Sequence, residues 1–258
     1  TGGRIPVSEL VFGRALISLI ITRFLLLKNN INPLGNQKRL LLIRGLFGTV
    51  ALFCIFKALT ILPIAIATVI QYIYPTFTVI CAYFILKEYI FKRIVFSIIL
   101  GWVGIILVSQ PEWSSNNNIK ETIIAISIAI IGSLMTSLAY ICVRKLSAKE
   151  HPLVIIYYFP LVSIPISIPF IINDFVLPNG TDWILILGIG FFTQIGQLCI
   201  TEGLRLIPAG QATSLNYSQV IFSSIWGVFI FKEAITREIY IGGLCVLIST
   251  IISMSATK

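Results

Sequence analysis

The polar side chains that could do chemistry in this sequence lie inside long apolar runs. Gln194 and Gln197 are three residues apart in a segment otherwise rich in Ile, Leu and Phe. This spacing predicts that their amides share one face of a helix, and each amide offers both hydrogen-bond donors and acceptors. Arg14 lies deep in another apolar run, where a lone charge is costly without a partner. These residue types predict recognition of a polar solute by hydrogen bonds and charge.

A polar stripe occurs twice in the chain. Its two copies are 145 residues apart, so that Thr68 in the first corresponds to Thr213 in the second. The stripes are Thr68, Gln71, Tyr74 with Pro75, and Thr78 in the earlier copy, and Thr213, Asn216, Gln219 and Ser223 in the later one. Helix-to-helix hydrogen bonding is the alternative, worth about 0.6 kcal/mol per bond in membranes. We expect both stripes to line one cavity. The candidate substrate-binding residues are Arg14, Gln71, Tyr74, Thr78, Tyr140, Gln194, Gln197, Asn216, Tyr217 and Gln219.

Two further features carry two interpretations each. Ser133 and Ser137 share a helical face with Tyr140, where small residues equally allow close helix packing. Glu202 and Lys57 are candidates for proton coupling. Glu202 is three residues from Arg205, so a local ion pair is the favoured interpretation.

The elements that position these residues are predicted to be transmembrane helices. The chain is 57% hydrophobic and 11% charged, with a mean hydropathy of +0.97, whereas an ordinary soluble domain has about 25% charged residues. Apolar runs of about 20 residues match the thickness of a bilayer. Nine spans are predicted, near residues 5–27, 43–62, 64–86, 94–111, 122–143, 153–172, 183–207, 209–231 and 238–255. The fold class is therefore an all-α integral membrane helical bundle.

The basic residues that give the net charge of +9 are distributed as a membrane topology would require. With the N-terminus outside, the Lys- and Arg-rich loops at 28–42, 87–93 and 144–152 are predicted to be cytoplasmic, as the positive-inside rule requires. Scattered in this way, the basic residues form no nucleic-acid footprint. His151 is the single histidine, so no metal cluster is predicted.

The stripes belong to a longer duplication. Residues identical at the 145-residue offset include Gly45 with Gly190, Cys54 with Cys199, Pro63 with Pro208, Tyr72 with Tyr217, and Lys87-Glu88 with Lys232-Glu233. Five spans separate each element from its copy, and an odd number of crossings reverses orientation. The two halves are therefore predicted to be inverted in the membrane, an arrangement typical of alternating-access transporters.

These segments resemble the drug/metabolite transporter superfamily with its EamA-type repeats. The resemblance rests on "FGRAL", "LPIAIATVIQYIYPTFTVICAYFILKE", "RLIPAGQATSLNYSQVIFSSIWGVFIFKE" and "IGG", and covers essentially the whole chain. It implies a ten-helix permease for small organic metabolites. Because "TGGRIP" is similar to the loop after a first helix, we expect a truncated chain, with a dispensable first helix as the alternative. Residues 1–111 would be the first repeat without its first helix, and 122–258 the second, inverted repeat.

The predicted function is transport of an amino-acid-like or nucleobase-like metabolite by a multi-pass protein of the bacterial plasma membrane. Its predicted partners are the lipid bilayer and a small-molecule substrate, with proton coupling left open and no nucleic acid. No cofactor is expected, and the chain would act as a monomer or homodimer. Two alternatives are a non-transporting scaffold or receptor, and a membrane-embedded transferase, which would need a catalytic cluster that the sequence does not show.

Overall fold

The computed structural model describes residues 6–62, 64–109, 119–172, 176–222, 225 and 237–255. Every regular element in these ranges is helical, as lipid requires of a chain that must pair its own backbone N–H and C=O groups. Within these described ranges, six helices are long and apolar enough to cross a membrane. The predicted all-α membrane fold is confirmed, whereas the predicted count of nine visible helices out of ten is not.

Most helices follow the predicted spans, with ends displaced by a few residues, whereas residues 226–231 of the span predicted at 209–231 lie outside the described residues. Their bounds are α1 Val7–Lys28, α2 Lys38–Leu59, α3 Ile64–Gln71, α4 Tyr74–Cys81, α5 Lys92–Ser109, α6 Ile119–Leu146, α7 Pro152–Ile172, α8 Gly180–Leu206, α9 Ala209–Ser214 and α10 Arg237–Met254. A π-helical turn, Ala82–Leu86, extends α4, and a 3₁₀ turn, Leu215–Tyr217, follows α9.

The third predicted span, 64–86, is a broken helix. Pro75 has no N–H, so the carbonyl of Gln71 loses its helical donor. The hydroxyl of Ser133 in α6 donates to the carbonyls of Ile70 at 2.8 Å and Gln71 at 3.2 Å. A serine from another helix thus satisfies the carbonyl that Pro75 leaves without a helical donor. In the second copy, the turn at Leu215–Tyr217 interrupts the helix at the matching position.

The chain forms two compact units, and each takes helices from both halves of the sequence. The first unit comprises Thr1–Val50 and Cys142–Leu206, and the second comprises Ala51–Ile141 and Ile207–Lys258. In the first, α1 packs against α7 and α8; in the second, α5 packs against α10 and α4 against α9. Large apolar side chains such as Phe84 and Phe192 stay exposed, as lipid-facing residues would.

Glycines let the helices within each unit approach closely. A Cβ on Gly45 would lie 2.8 Å from Cγ2 of Val162, and a Cβ on Gly190 would lie 2.7 Å from Ile17. Small residues at such crossings are the usual means of packing helices in membranes, where lipid removes the hydrophobic driving force between them. The repeated glycine pair, Gly45 with Gly190, is therefore explained by packing.

Candidate functional site

In the first unit, two arginines meet one aromatic ring. The guanidinium carbon Cζ of Arg14, from α1, lies 5.6 Å from the ring centroid of Phe159, from α7. The Cζ of Arg44, from α2, lies 5.2 Å from the same centroid. Both distances are within the range of cation–π attraction. We call Arg14, Arg44 and Phe159 the arginine cluster.

Gln197 extends the arginine cluster from α8. Its amide oxygen Oε1 accepts a hydrogen bond from Nη2 of Arg44 at 3.0 Å. Arg44 is 4% exposed, whereas Arg14 and Gln197 are half-buried. Gly48, one turn after Arg44, permits this assembly, because a Cβ there would lie 3.0 Å from Cδ2 of Phe159. The cluster thus brings together two positive charges and an amide from four helices of one unit.

The two glutamines that the sequence places on one helical face contact different helices in the structure. Gln194 is buried, its Oε1 accepts from the hydroxyl of Ser18 at 2.5 Å, and its Nε2 donates to Thr22 at 2.8 Å. Both partners lie on α1, so this amide fastens α8 to α1. Gln197 instead contacts Arg44 of α2. Although the residues are one turn apart, they serve different neighbours.

Glu202 and Arg205 form the predicted local ion pair. The carboxylate Oε2 lies 3.6 Å from Nη1 of Arg205, and the two side chains are 47% and 54% exposed. The ion pair expected from the spacing is therefore present, and proton coupling through Glu202 stays a prediction. Lys57, the other candidate for coupling, is exposed on α2.

In the second unit, the threonines of both stripes bond to their own helices. Thr78 donates to the carbonyl of Tyr74 at 2.8 Å, Thr213 donates to that of Ala209 at 2.9 Å, and both threonines are fully buried. Such bonds satisfy the hydroxyl without another helix. Gln71 and Asn216 are half-buried, and Gln219 is exposed. Ser223 lies outside the described residues.

Four tyrosines form an aromatic group in this unit. Ring centroids are 5.6 Å apart for Tyr74 and Tyr140, 6.4 Å for Tyr72 and Tyr74, and 6.0 Å for Tyr72 and Tyr217. The side chain of Asn216 lies beside Tyr74. Tyr217 is fully buried. The predicted residues Tyr74, Tyr140, Asn216 and Tyr217 thus lie together in one unit, as a mainly buried group.

Several contacts join residues that are equivalent in the two repeats. Phe159 occupies the position 145 residues after Arg14, and Tyr217 the position 145 after Tyr72, yet each pair is in contact. A residue meets its own equivalent only next to a two-fold axis. Other contacts occur in equivalent pairs. Gly45 lies against Val162 as Gly190 lies against Ile17, and Ser97 meets Ser249 as Gly242 meets Gly104.

Comparison with known proteins assigns the family. The model of the EamA-like transporter family matches residues 1–110 and 123–255. The chain belongs to the EamA-like transporter family. A crystal structure of a protein 18% identical in sequence superimposes with a TM-score of 0.86, covering 97% of this chain and 88% of the other. At this identity the superposition shows the shared fold.

Named relatives of this EamA-like transporter are themselves transporters. The pseudopaline exporter CntI of Pseudomonas aeruginosa is 25% identical over 98% of this chain and 88% of its own. Solute carrier family 35 member G1 of mouse is 29% identical over 85% of this chain and 62% of its own. An S-adenosylmethionine uptake transporter of Rickettsia prowazekii is 22% identical over 100% and 86%. This EamA-like protein is therefore a membrane transporter.

The Lys-Glu pair that carries the family resemblance has a structural role in the first repeat. Lys87 adopts a left-handed conformation with φ 56° and ends the π-helical turn. The next side chain, Glu88, accepts the N–H of Ala209 through Oε2 at 2.9 Å. Ala209 is the first residue of α9, so this carboxylate caps the equivalent helix of the other repeat.

Glu88→Ala is expected to destabilise the protein by about 1 kcal/mol, because α9 loses the acceptor for its first N–H. Thermal unfolding in detergent measures the change. Glu88→Gln keeps an acceptor oxygen and is the matched control, with a smaller expected loss. Equal stabilities for Glu88→Ala and the unaltered protein would contradict the capping role.

Residues of the arginine cluster other than Arg14 and Gln197 are not evident from the sequence. Arg44 lies at the edge of the predicted span 43–62 and resembles a cytoplasmic loop charge, but α2 begins earlier, at Lys38, and includes it. Phe159 is one of 17 phenylalanines. Its position as the repeat equivalent of Arg14 is the signal that could have identified it.

Proposed function

We propose that this EamA-like transporter carries a small organic metabolite, amino-acid-like or nucleobase-like, across the bacterial plasma membrane by alternating access. The observation that supports it is the contact between repeat equivalents, Arg14 with Phe159 in one unit and Tyr72 with Tyr217 in the other. Inverted repeats related by a two-fold axis give a protein two similar gates that open to opposite sides.

The broken helices support the same proposal. Both repeats interrupt a membrane helix at matching positions, after Gln71 and at Leu215–Tyr217. In secondary transporters, discontinuous helices of this kind occur near substrate sites at the repeat interface. A scaffold or receptor has no need of such a matched pair of breaks.

Flux into proteoliposomes tests the proposal. Liposomes containing the purified full-length protein are preloaded with unlabelled solute and diluted into labelled solute, with protein-free liposomes as the control. A carrier that releases unlabelled solute outside binds labelled solute there and carries it in, so the label accumulates transiently inside the liposomes by counterflow. A channel gives no such accumulation. Uptake equal to that of protein-free liposomes across a metabolite panel would favour the scaffold or receptor.

A further inference from the structure

We propose that the arginine cluster is a binding site for the carboxylate of an organic anion. This inference rests on the proposed function and names the substrate class that the first unit would recognise. Arg14 and Arg44 are the residues that would bind the carboxylate, Phe159 positions them, and Gln197 positions Arg44.

The geometry brings two guanidinium groups to one aromatic ring in a membrane helix bundle. Their Cζ atoms lie 5.6 and 5.2 Å from one ring centroid, so the two charges are no farther apart than the sum of these distances. Like charges repel at this range, most strongly where the dielectric is low. An anion placed between them turns this repulsion into attraction, so the pair favours an anionic ligand.

Phe159 suits a positioning role. A ring attracts a guanidinium through its π-face, and this interaction uses none of the N–H donors with which arginine binds a carboxylate in a two-bond fork. The ring therefore orders both side chains without competing with an anion. Gln197 adds an acceptor for one N–H of Arg44, which fixes that side chain further.

Departure from the repeat distinguishes this cluster from ordinary packing. The packing contacts are duplicated, as Gly45 against Val162 and Gly190 against Ile17 show. The charges are not duplicated, since the equivalents of Arg14, Arg44 and Gln197 are Phe159, Ile189 and Leu52. A fold that needed these arginines for helix packing alone would have the same use for them in both copies. Their presence in one copy points to a single ligand.

The degree of burial fits a site that a solute can reach. Arg44 is 4% exposed, whereas Arg14 and Gln197 are half-buried. An anion entering past Arg14 would lose its water gradually and exchange it for N–H donors. A carboxylate fits this arrangement because its planar oxygens match the guanidinium fork.

Ligand-dependent thermal stability of the purified full-length protein in detergent tests the site without requiring transport. The probes are matched pairs of an anion and its neutral amide, namely succinate with succinamide, glutamate with glutamine, and benzoate with benzamide, together with inorganic phosphate. At ten times its dissociation constant, a bound carboxylate is expected to raise Tm by about 3–5 °C. Its amide is expected to leave Tm unchanged.

Matched variants locate the effect. Arg14→Gln and Arg44→Gln are expected to weaken carboxylate binding at least tenfold, whereas Arg23→Gln and Arg39→Gln, which remove exposed charges from α1 and α2, keep it. Arg14→Lys and Arg44→Lys retain the charge without the fork and guard against misfolding of the glutamine variants; an intermediate affinity is expected.

Three outcomes would overturn the assignment: equal Tm shifts by acid and amide, a shift by phosphate with none by any carboxylate, and full binding by both glutamine variants. Flux without a preference for carboxylates would overturn this inference and leave the proposed transport intact. Carboxylate binding without flux would support the site and count against transport.

Discussion

Gly242→Ala is expected to destabilise the protein by about 1–3 kcal/mol, whereas Gly243→Ala, one residue further along α10, is expected to leave stability unchanged or raise it. A Cβ on Gly242 would lie 2.7 Å from the carbonyl oxygen of Gly104 and 2.8 Å from Cγ2 of Val108. The carbonyl belongs to the backbone of α5 and can move only with its helix. Around Gly243 nothing lies within 4 Å, and alanine favours the helical conformation by about 1 kcal/mol over glycine.

The contact that this substitution tests is reciprocal. A Cβ on Gly104 would in turn lie 2.7 Å from the carbonyl oxygen of Gly242. Nearby, Ser97 donates to the carbonyl of Ser249 at 2.9 Å, and Ser249 donates to that of Ser97 at 2.7 Å. Because backbone meets backbone at this crossing, extra volume on either side must separate α5 from α10.

Unfolding in denaturing detergent, followed by loss of helical signal, measures both variants in parallel. Their two positions share a helix, a residue type and a substitution, so propensity and expression effects are matched. Equal stabilities for the two alanine variants would show that α5 and α10 are farther apart than the structure has them. A double variant with Gly104→Ala is expected to lose little more, since one separation relieves both clashes.

Much of the fold could be predicted because membrane chemistry leaves few choices. Runs of about 20 apolar residues must be helices, and the 145-residue repeat relates each helix to a partner. Pro75 marks the break in the third span, and its effect on the carbonyl of Gln71 follows from the missing N–H. Helix ends were less exact: α2 begins at Lys38 rather than near residue 43.

The site could be predicted less well, because hydrogen bonds between helices depend on distances that a sequence does not contain. Gln194 and Gln197 share a helical face by spacing, yet one reaches Ser18 and Thr22 while the other reaches Arg44. Their place in a polar stripe predicts that Thr78 and Thr213 line a pathway, but the hydroxyl of each donates a hydrogen bond to a carbonyl of its own helix. Polarity identifies residues that need a partner without saying which partner each has.

Gln197→Glu is expected to act in opposite directions on stability and on ligand binding. A carboxylate at this position would accept the Arg44 N–H as a charged group, and charged hydrogen bonds are roughly twice as strong as neutral ones. We therefore expect the folded protein to gain about 0.5–1 kcal/mol. The same carboxylate would also neutralise part of the positive charge of Arg14 and Arg44 that a ligand needs. Affinity for succinate is expected to fall at least tenfold, about 1.4 kcal/mol.

Opposite changes in stability and in succinate affinity distinguish a binding site from a structural contact. If the arginine cluster serves packing alone, a stronger hydrogen bond to Arg44 raises stability and changes nothing else. If it binds a carboxylate, the stabilised variant is the poorer binder. Asn32→Asp makes the same amide-to-carboxylate change at an exposed position of the loop after α1 and is the matched control. Gln197→Leu removes the acceptor from Arg44 and is expected to cost about 1–3 kcal/mol of stability.

Both quantities come from one set of thermal unfolding curves, recorded with and without succinate and succinamide. Unaltered succinate affinity in a folded Gln197→Glu protein would place the anion away from Arg44 and contradict the assignment. A lower affinity in Asn32→Asp as well would attribute the loss to overall charge. The expected result is a higher Tm without ligand and a smaller succinate shift for Gln197→Glu alone, because the introduced carboxylate competes with the ligand for the same guanidinium.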